Sequence, residues 1–392
     1  VSTARAYLDH AATTALRPAA REAFLEASAV VGNPGSVHTA GRRARAVLDE
    51  ALAQIAEDLG VPRTWIVLTS GGTEADNLAL RGVARRALQK TPQRCAVAVT
   101  ATDHPAVRDT APLIDSRIAA REMPVDDRGI LTADGIEQAL APGDVCLVST
   151  ALVNNETGVV QDLRTLSTAA RARGALVHTD AVQAIGHAPL PSRDDVDLMS
   201  LTAHKIGGPV GIGALVVKPE IELVAGTTGG GQQRGLRSGT LDAAHTAAFA
   251  AALHETLATW QQNMARLRGL AERLRAGIAR VDPTSRATVA DDSVLAGHIV
   301  HTLFPGTDSE SLLFLLDERG VDASAGSACH AGVTRPSHVL TAMGISDDEA
   351  RGSLRLSLGW TSTEDDVDIL LAALPEALER SRAVAAFARG GR

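Results

Sequence analysis

The chain has 392 residues, 45% hydrophobic and 21% charged, a balance suited to a globular protein with a sizeable core. A net charge of -8 leaves no basic surplus to displace counterions, and only 2% of residues are aromatic, so direct nucleic-acid binding is set aside. Cys95, Cys146 and Cys329 lack metal-ligand spacing and suit a reducing compartment. The opening "VSTARAYLDHAATTALRP" has no basic-then-apolar leader layout and no run approaches spanning length, so a cytoplasmic enzyme with no membrane partner is expected.

From about Pro18 to Thr259 short apolar runs alternate with amphipathic ones, the rhythm of an α/β domain. "TWIVLTS" (Thr64–Ser70) reads as a buried strand, and "GGTEADNLALRGVARRAL" after it as a turn and a helix. "CAVAVTA", "VCLVSTA", "ALVHTDA", "VDLMSLTA" and "IGALVVK" read as further strands. Such spacing predicts a mainly parallel central sheet covered by helices, with ligands at the carboxyl ends of its strands. From about Asn263 the rhythm changes. A long charged helix, "NMARLRGLAERLRAGIARV", precedes "HIVHTLF", "SLLFLLDERG" and "GSLRLSLGW", and a last helix runs through "EDDVDILLAALPEALERSRAVAAFA". The expected organisation is a large α/β domain over 15–259 and a smaller α+β domain over 1–14 and 260–392. The smaller one carries a loop at about 323–336.

Three strand ends hold candidate chemistry. In "LTSGGTEADN" the backbone of Gly71, Gly72 and Thr73 opens a helix, which suits either a bound phosphate or an ordinary capped turn. In "HTDAVQAIG", Asp180 follows an apolar strand, where it would cap a helix or pair with a protonated ring nitrogen; Gln183 could bond a ring oxygen. In "SLTAHKIGGPVGIGAL", Lys205 follows a strand and is preceded by Thr202 and His204. A lone lysine is usually a solvated charge. Beside an anion cradle and an acidic partner, it is placed to form a Schiff base with pyridoxal phosphate.

With these motifs go "YLDHAATT", "GNPGSVHTAGRRAR", "NNETG", "RGLRSGTLD", "GSAC" and "RLSLG". Together, over almost the whole length, the chain resembles the cysteine desulfurases of the NifS/IscS-like kind. These belong to the class V branch of the fold-type I pyridoxal-phosphate enzymes. "GSLRLSLG" and "PSHVL" resemble the actinobacterial housekeeping type. The resemblance implies that Lys205 is the Schiff-base lysine and that Gly72, Thr73, Thr202 and His204 contact the cofactor phosphate. It implies that Asp180 holds the pyridinium proton, Gln183 bonds the phenolic oxygen, Asn155 lies beside the ring, and His104 stacks on the ring and assists proton transfer. Arg355 would clamp the substrate carboxylate with help from Asn33. Thr240 would reach the cofactor phosphate across a homodimer. No metal is expected.

The resemblance makes L-cysteine the substrate, L-alanine the product and Cys329 the thiolate that takes the sulfur as a persulfide. In "SAGSACHAGVTRPSHV" that cysteine sits among residues too small to pack around it. His330 stands where Thr or Ser is expected, and either tunes the thiol or is a neutral surface residue. Cys95 and Cys146 fall in apolar strands and are expected to be inert. The sulfur would pass to an acceptor protein, an iron–sulfur scaffold or a thiolation enzyme. The tail "ERSRAVAAFARGGR" differs from the docking extension of some relatives and leaves that choice open. A selenocysteine lyase or another pyridoxal-phosphate C–S lyase is the rival enzyme reading, and a non-catalytic scaffold in a sulfur-transfer complex the rival of another class.

Overall fold

A computed structural model describes residues 5–326 and 336–390; Cys329 and His330 lie outside the described residues. The chain opens with β1 (Ala6–Tyr7), α1 (Pro18–Ser28), α2 (Thr39–Asp58), β2 (Ile66–Thr69), α3 (Gly72–Lys90), β3 (Ala96–Thr100), α4 (Pro105–Arg108) and β4 (Ala119–Met123). It continues with α5 (Ala133–Leu140), β5 (Val145–Ala151), α6 (Leu163–Ala172), β6 (Leu176–Asp180), β7 (Leu198–Thr202), β8 (Gly213–Val217) and α7 (Ala243–Val281). Then follow β9 (Arg286–Ala287), β10 (Ile299–Leu303), α8 (Ser309–Asp317), β11 (Val321–Asp322), α9 (His338–Ala342), α10 (Asp347–Ala350), β12 (Ser353–Ser357) and α11 (Glu364–Gly390).

The main sheet has seven strands in the order β2-β8-β7-β6-β5-β3-β4. Pairs among β7, β6, β5, β3 and β4 are parallel, whereas β8 runs antiparallel to both β7 and β2. Alternation along each strand feeds two faces. Ile66 and Leu68 join one apolar cluster with Leu48, Leu166 and Phe249, while Val67 joins the other with Leu78, Leu80 and Val83 of α3. Burial on both faces is why the central runs read as continuously apolar. Edge strand β4 was not anticipated, because "AAREM" is largely exposed and carries Arg121, paired with Asp144.

The other sheet, β12-β10-β9, packs against α7, α8 and α11 around a separate cluster that includes Leu267, Leu274, Phe304, Leu316 and Leu374. N-terminal Ala6 and Leu8 belong to that cluster, and β1 pairs in parallel with β11. The expected division near residue 259 falls within α7. Ala248, Phe249 and Leu253 of this unbroken helix enter the first core and Met264, Leu267 and Leu274 the third. Among the described residues no helix is long and apolar enough to cross a membrane.

Candidate active site

The carboxyl ends of β3, β5, β6 and β7 converge on a cavity of about 420 Å³. Gly72, Thr73, His104, Asn155, Asp180, Gln183, Thr202, His204, Lys205 and Arg355 all line it. Sequence separation is overcome by register: Ala151 pairs with Asp180 and Asp180 with Ser200, so three strand ends finish side by side.

One wall is the N-terminus of α3. Its first amide groups have no acceptor within the helix and carry the positive end of the helix dipole, an arrangement that suits an anion. Gly72 is required by close packing. A Cβ there would come within 2.6 Å of Val182 Cγ2, and the bare backbone lets the helix start lie over the ends of β6 and β7. Thr202 is buried beside it, and half-buried His204 hydrogen-bonds Thr13 Oγ1 through Nδ1 at 3.2 Å.

Asp180 lies on the floor and accepts a hydrogen bond from the Val182 amide at 2.8 Å. Burial raises its pKa, against the Val182 N–H and the charges of His104 and Lys205. Across the cavity Lys205 donates through Nζ to the carbonyl oxygens of Ala11, at 2.5 Å, and Ala12, at 2.7 Å. Burial, then the Arg355 charge, lowers its pKa to about 8, with Asp9 and Asp180 opposing. A tenth or so of such a lysine is neutral, and nucleophilic, at pH 7. Gln183 gives one amide hydrogen to Ala11 O at 2.7 Å, leaving a second donor for a ligand.

His104 projects into the cavity. Its Nδ1 accepts from the Ala106 amide at 3.1 Å, so in the neutral ring the proton is on Nε2. Removal from bulk water lowers its pKa, against the pull of Asp180. Opposite stands Arg355 in the middle of β12, 5% exposed. Its Nη1 donates to Asn155 O at 2.9 Å and its Nη2 to Asp9 Oδ1 at 2.8 Å. Its Nε–H is buried and has no hydrogen-bond partner among the described residues.

Two expected residues lie apart from this cavity. Asn33 is exposed and its Oδ1 accepts from the Gly35 amide, closing a local turn. Thr240 is also exposed. Its loop is fastened to α3 by Arg237, which pairs with Glu74 at 3.0 Å.

Several side chains escaped the sequence reading. Asp103 is 1% exposed and joins the ends of β3 and β5 by accepting from Thr100 and Ala151 amides. Asp76 lines the cavity; among the described residues its Oδ1 has no hydrogen-bond partner and lies 3.6 Å from Nε2 of buried His178, whose ring is held by Ser149 and Ser200. Burial pushes both carboxyls well up. Asn154 builds the "NNETG" turn, its Oδ1 accepting from the amides of Glu156 and Thr157. Cys95 and Cys146 are buried, and burial raises both thiols, that of Cys146 to about 12.

The family model described as aminotransferase class-V matches residues 6–370. An IscS-like cysteine desulfurase of Mycobacterium tuberculosis is 42% identical over 390 residues, covering 98% of this chain and 99% of its own. Among solved structures, a NifS-like protein superposes with a TM-score of 0.88 at 30% identity, over 96% of this chain and 99% of that one. A structure of SspA in complex with cysteine gives a TM-score of 0.77 at 28% identity, over 91% and 99%.

Proposed function

As the chain belongs to the class-V aminotransferase family and is one of its cysteine desulfurases, with the fold-type I architecture, we propose that it holds pyridoxal phosphate in this cavity and transfers the sulfur of L-cysteine to Cys329. The residues fit that cofactor. The start of α3, with Thr73, Thr202 and His204, suits its phosphate; Asp180 suits a protonated ring nitrogen; the spare Gln183 donor suits the phenolic oxygen; Lys205 supplies the amine. When bound, the cofactor offers an aldehyde to the substrate amine and a ring that accepts electron density once the α-proton leaves.

Each residue then has a task. Arg355, braced by Asp9 and Asn155, lines the cavity and brings its guanidinium charge to the substrate carboxylate. Lys205, with its lowered proton affinity, would hold the cofactor through its amine and, once that amine is free, would carry the α-proton. His104 presents Nε2 to the substrate side and gives or takes a proton there. Asp180 would face the protonated ring nitrogen, whose positive charge offsets the cost of burying a carboxylate. The carbon–sulfur bond of cysteine breaks, the sulfur joins Cys329 as a persulfide, and alanine leaves. Cys95 and Cys146 are too buried to compete.

The observation that carries this reading is the gathering of Lys205, Asp180, His104, Arg355 and the α3 N-terminus on one cavity. Its test is a single turnover with L-cysteine, with alanine quantified and the persulfide trapped by alkylation and located by mass spectrometry. Persulfide on Cys329, and none in Cys329→Ala, supports the assignment; stoichiometric persulfide on Cys95 or Cys146 overturns it. A homodimer completed through Thr240 and transfer to an acceptor protein, a scaffold for iron–sulfur clusters or a thiolation enzyme, belong to the same proposal. Pull-down of persulfidated protein against each acceptor class distinguishes the two.

A further inference from the structure

We propose that Glu156 is a positioning residue for sulfur transfer: its buried carboxyl anchors the stretch of chain that follows Cys329 and packs beside the stretch that precedes it. The inference rests on the reading of Cys329 as the sulfur acceptor.

Glu156 is 3% exposed and follows the cavity residue Asn155 in the turn that Asn154 organises. One carboxyl oxygen, Oε2, is bonded to the downstream flank and faces the upstream one. On the downstream side it accepts a hydrogen bond from Ser337 Oγ at 2.5 Å. That hydroxyl in turn accepts from the amides of Val339 and Leu340, so it joins the start of α9 to the carboxyl. On the upstream side is Gly326, at φ +82°. A Cβ on Gly326 would lie 3.0 Å from Glu156 Oε2 and 3.3 Å from its Cδ, so the carboxyl takes the space that a side chain at this position would need.

Each flank is also fastened to a residue of the site. Ser324 and Arg355 exchange backbone hydrogen bonds of 3.2 and 2.6 Å. His338 reaches the backbone oxygen of Asp103 through Nε2 at 2.9 Å, immediately before His104. Glu156 is where the two sets of fastenings meet. An apolar side chain would fill the same space without the cost of burying a carboxyl. Burial raises its pKa, and the Ser337 hydroxyl and the charges of His338 and Arg355 pull against that rise. Keeping an ionisable group here is reasonable if its acceptor oxygen has work to do.

The test uses the holoenzyme with Glu156→Ala, Glu156→Gln and Ser337→Ala. Two readouts are taken in one turnover: the change of the cofactor's visible band on mixing with L-cysteine, which precedes sulfur transfer, and the rate of persulfide formation on Cys329 by alkylation and mass spectrometry. Glu156→Ala should slow persulfide formation by about ten- to a hundredfold, the usual consequence of a misplaced reacting group, with the band change within about twofold. Glu156→Gln, which keeps an oxygen for Ser337, should restore the rate to within about threefold. Ser337→Ala should act in the same direction and add little to Glu156→Ala. Equal slowing of both readouts, an undiminished persulfide rate in Glu156→Ala, or independent, multiplying effects of the two alanine variants would each overturn the proposal. Cys329→Ala is run alongside. Persulfide formed at full rate in that variant would remove the underlying reading by itself, a result separate from any Glu156 outcome.

Discussion

Replacing Lys205 with Met should change the stability of the cofactor-free protein in a pH-dependent way. Lys205 is held at about 8 against its ordinary 10.5, by burial first and the Arg355 charge second. Each tenfold loss of proton affinity is worth about 1.4 kcal/mol, so a charged Lys205 costs the fold about 3 kcal/mol. The folded protein binds this proton less tightly than the unfolded chain does. The cost is therefore complete below pH 8 and disappears as the pH rises from 8 towards 10.5. Lys205→Met removes the titration but also deprives the Ala12 carbonyl oxygen of its donor and leaves Ala11 O with Gln183 alone, a loss that is the same at every pH. The diagnostic is thus the change with pH in the difference between the two proteins. Urea unfolding of both at pH 7 and pH 10.5 should give differences that move by about 3 kcal/mol, the variant gaining at the lower pH. A difference constant to within about 0.5 kcal/mol would show that Lys205 meets no desolvation in the fold, and the argument for its nucleophilicity at neutral pH would fail.

Arg355→Lys keeps the charge but loses the fork, so KM for L-cysteine should rise about ten- to a hundredfold in steady-state assays while kcat changes far less. Gly72→Val drives a side chain into Val182 and lifts the start of α3 from the strand ends, so the variant should lose pyridoxal phosphate on dialysis while the parent protein retains it. Asp103→Ala leaves the amides of Thr100 and Ala151 without their acceptor and should lower unfolding free energy by about 2–4 kcal/mol in denaturant titration.

Short motifs at strand ends made most of the cavity legible in the sequence. Asp180 and Thr202 each close a strand of five residues and Lys205 follows three residues after Thr202, and a parallel sheet delivers such ends to one edge whatever the intervening helices do. Resemblance to a known family then assigned roles that spacing alone left open. What stayed hidden depends on contacts made over long separations by residues with no distinctive pattern. Asp76 sits on a helix face that reads as amphipathic, and only packing over β6 and β7 puts it near Asp180. Glu156 reads as a turn residue until Gly326 and Ser337 arrive from elsewhere in the chain. β4 escaped because an exposed edge strand lacks the apolar run that marked its neighbours. The boundary placed near residue 259 followed a change in composition. Helix α7 simply continues through it, its buried residues moving from alanine-rich to leucine-rich as the packing partner changes.

That helix has a mechanical consequence. At 39 residues it is a rod of about 58 Å, and no proline interrupts the stretch between its two buried stripes. Loss of either core would strip half of the rod of its support, and an exposed helix of that composition has little stability of its own. The two cores are therefore expected to melt together in a single transition instead of one after the other. A cut in α7 near residue 260 should unfold both halves rather than release two separate domains.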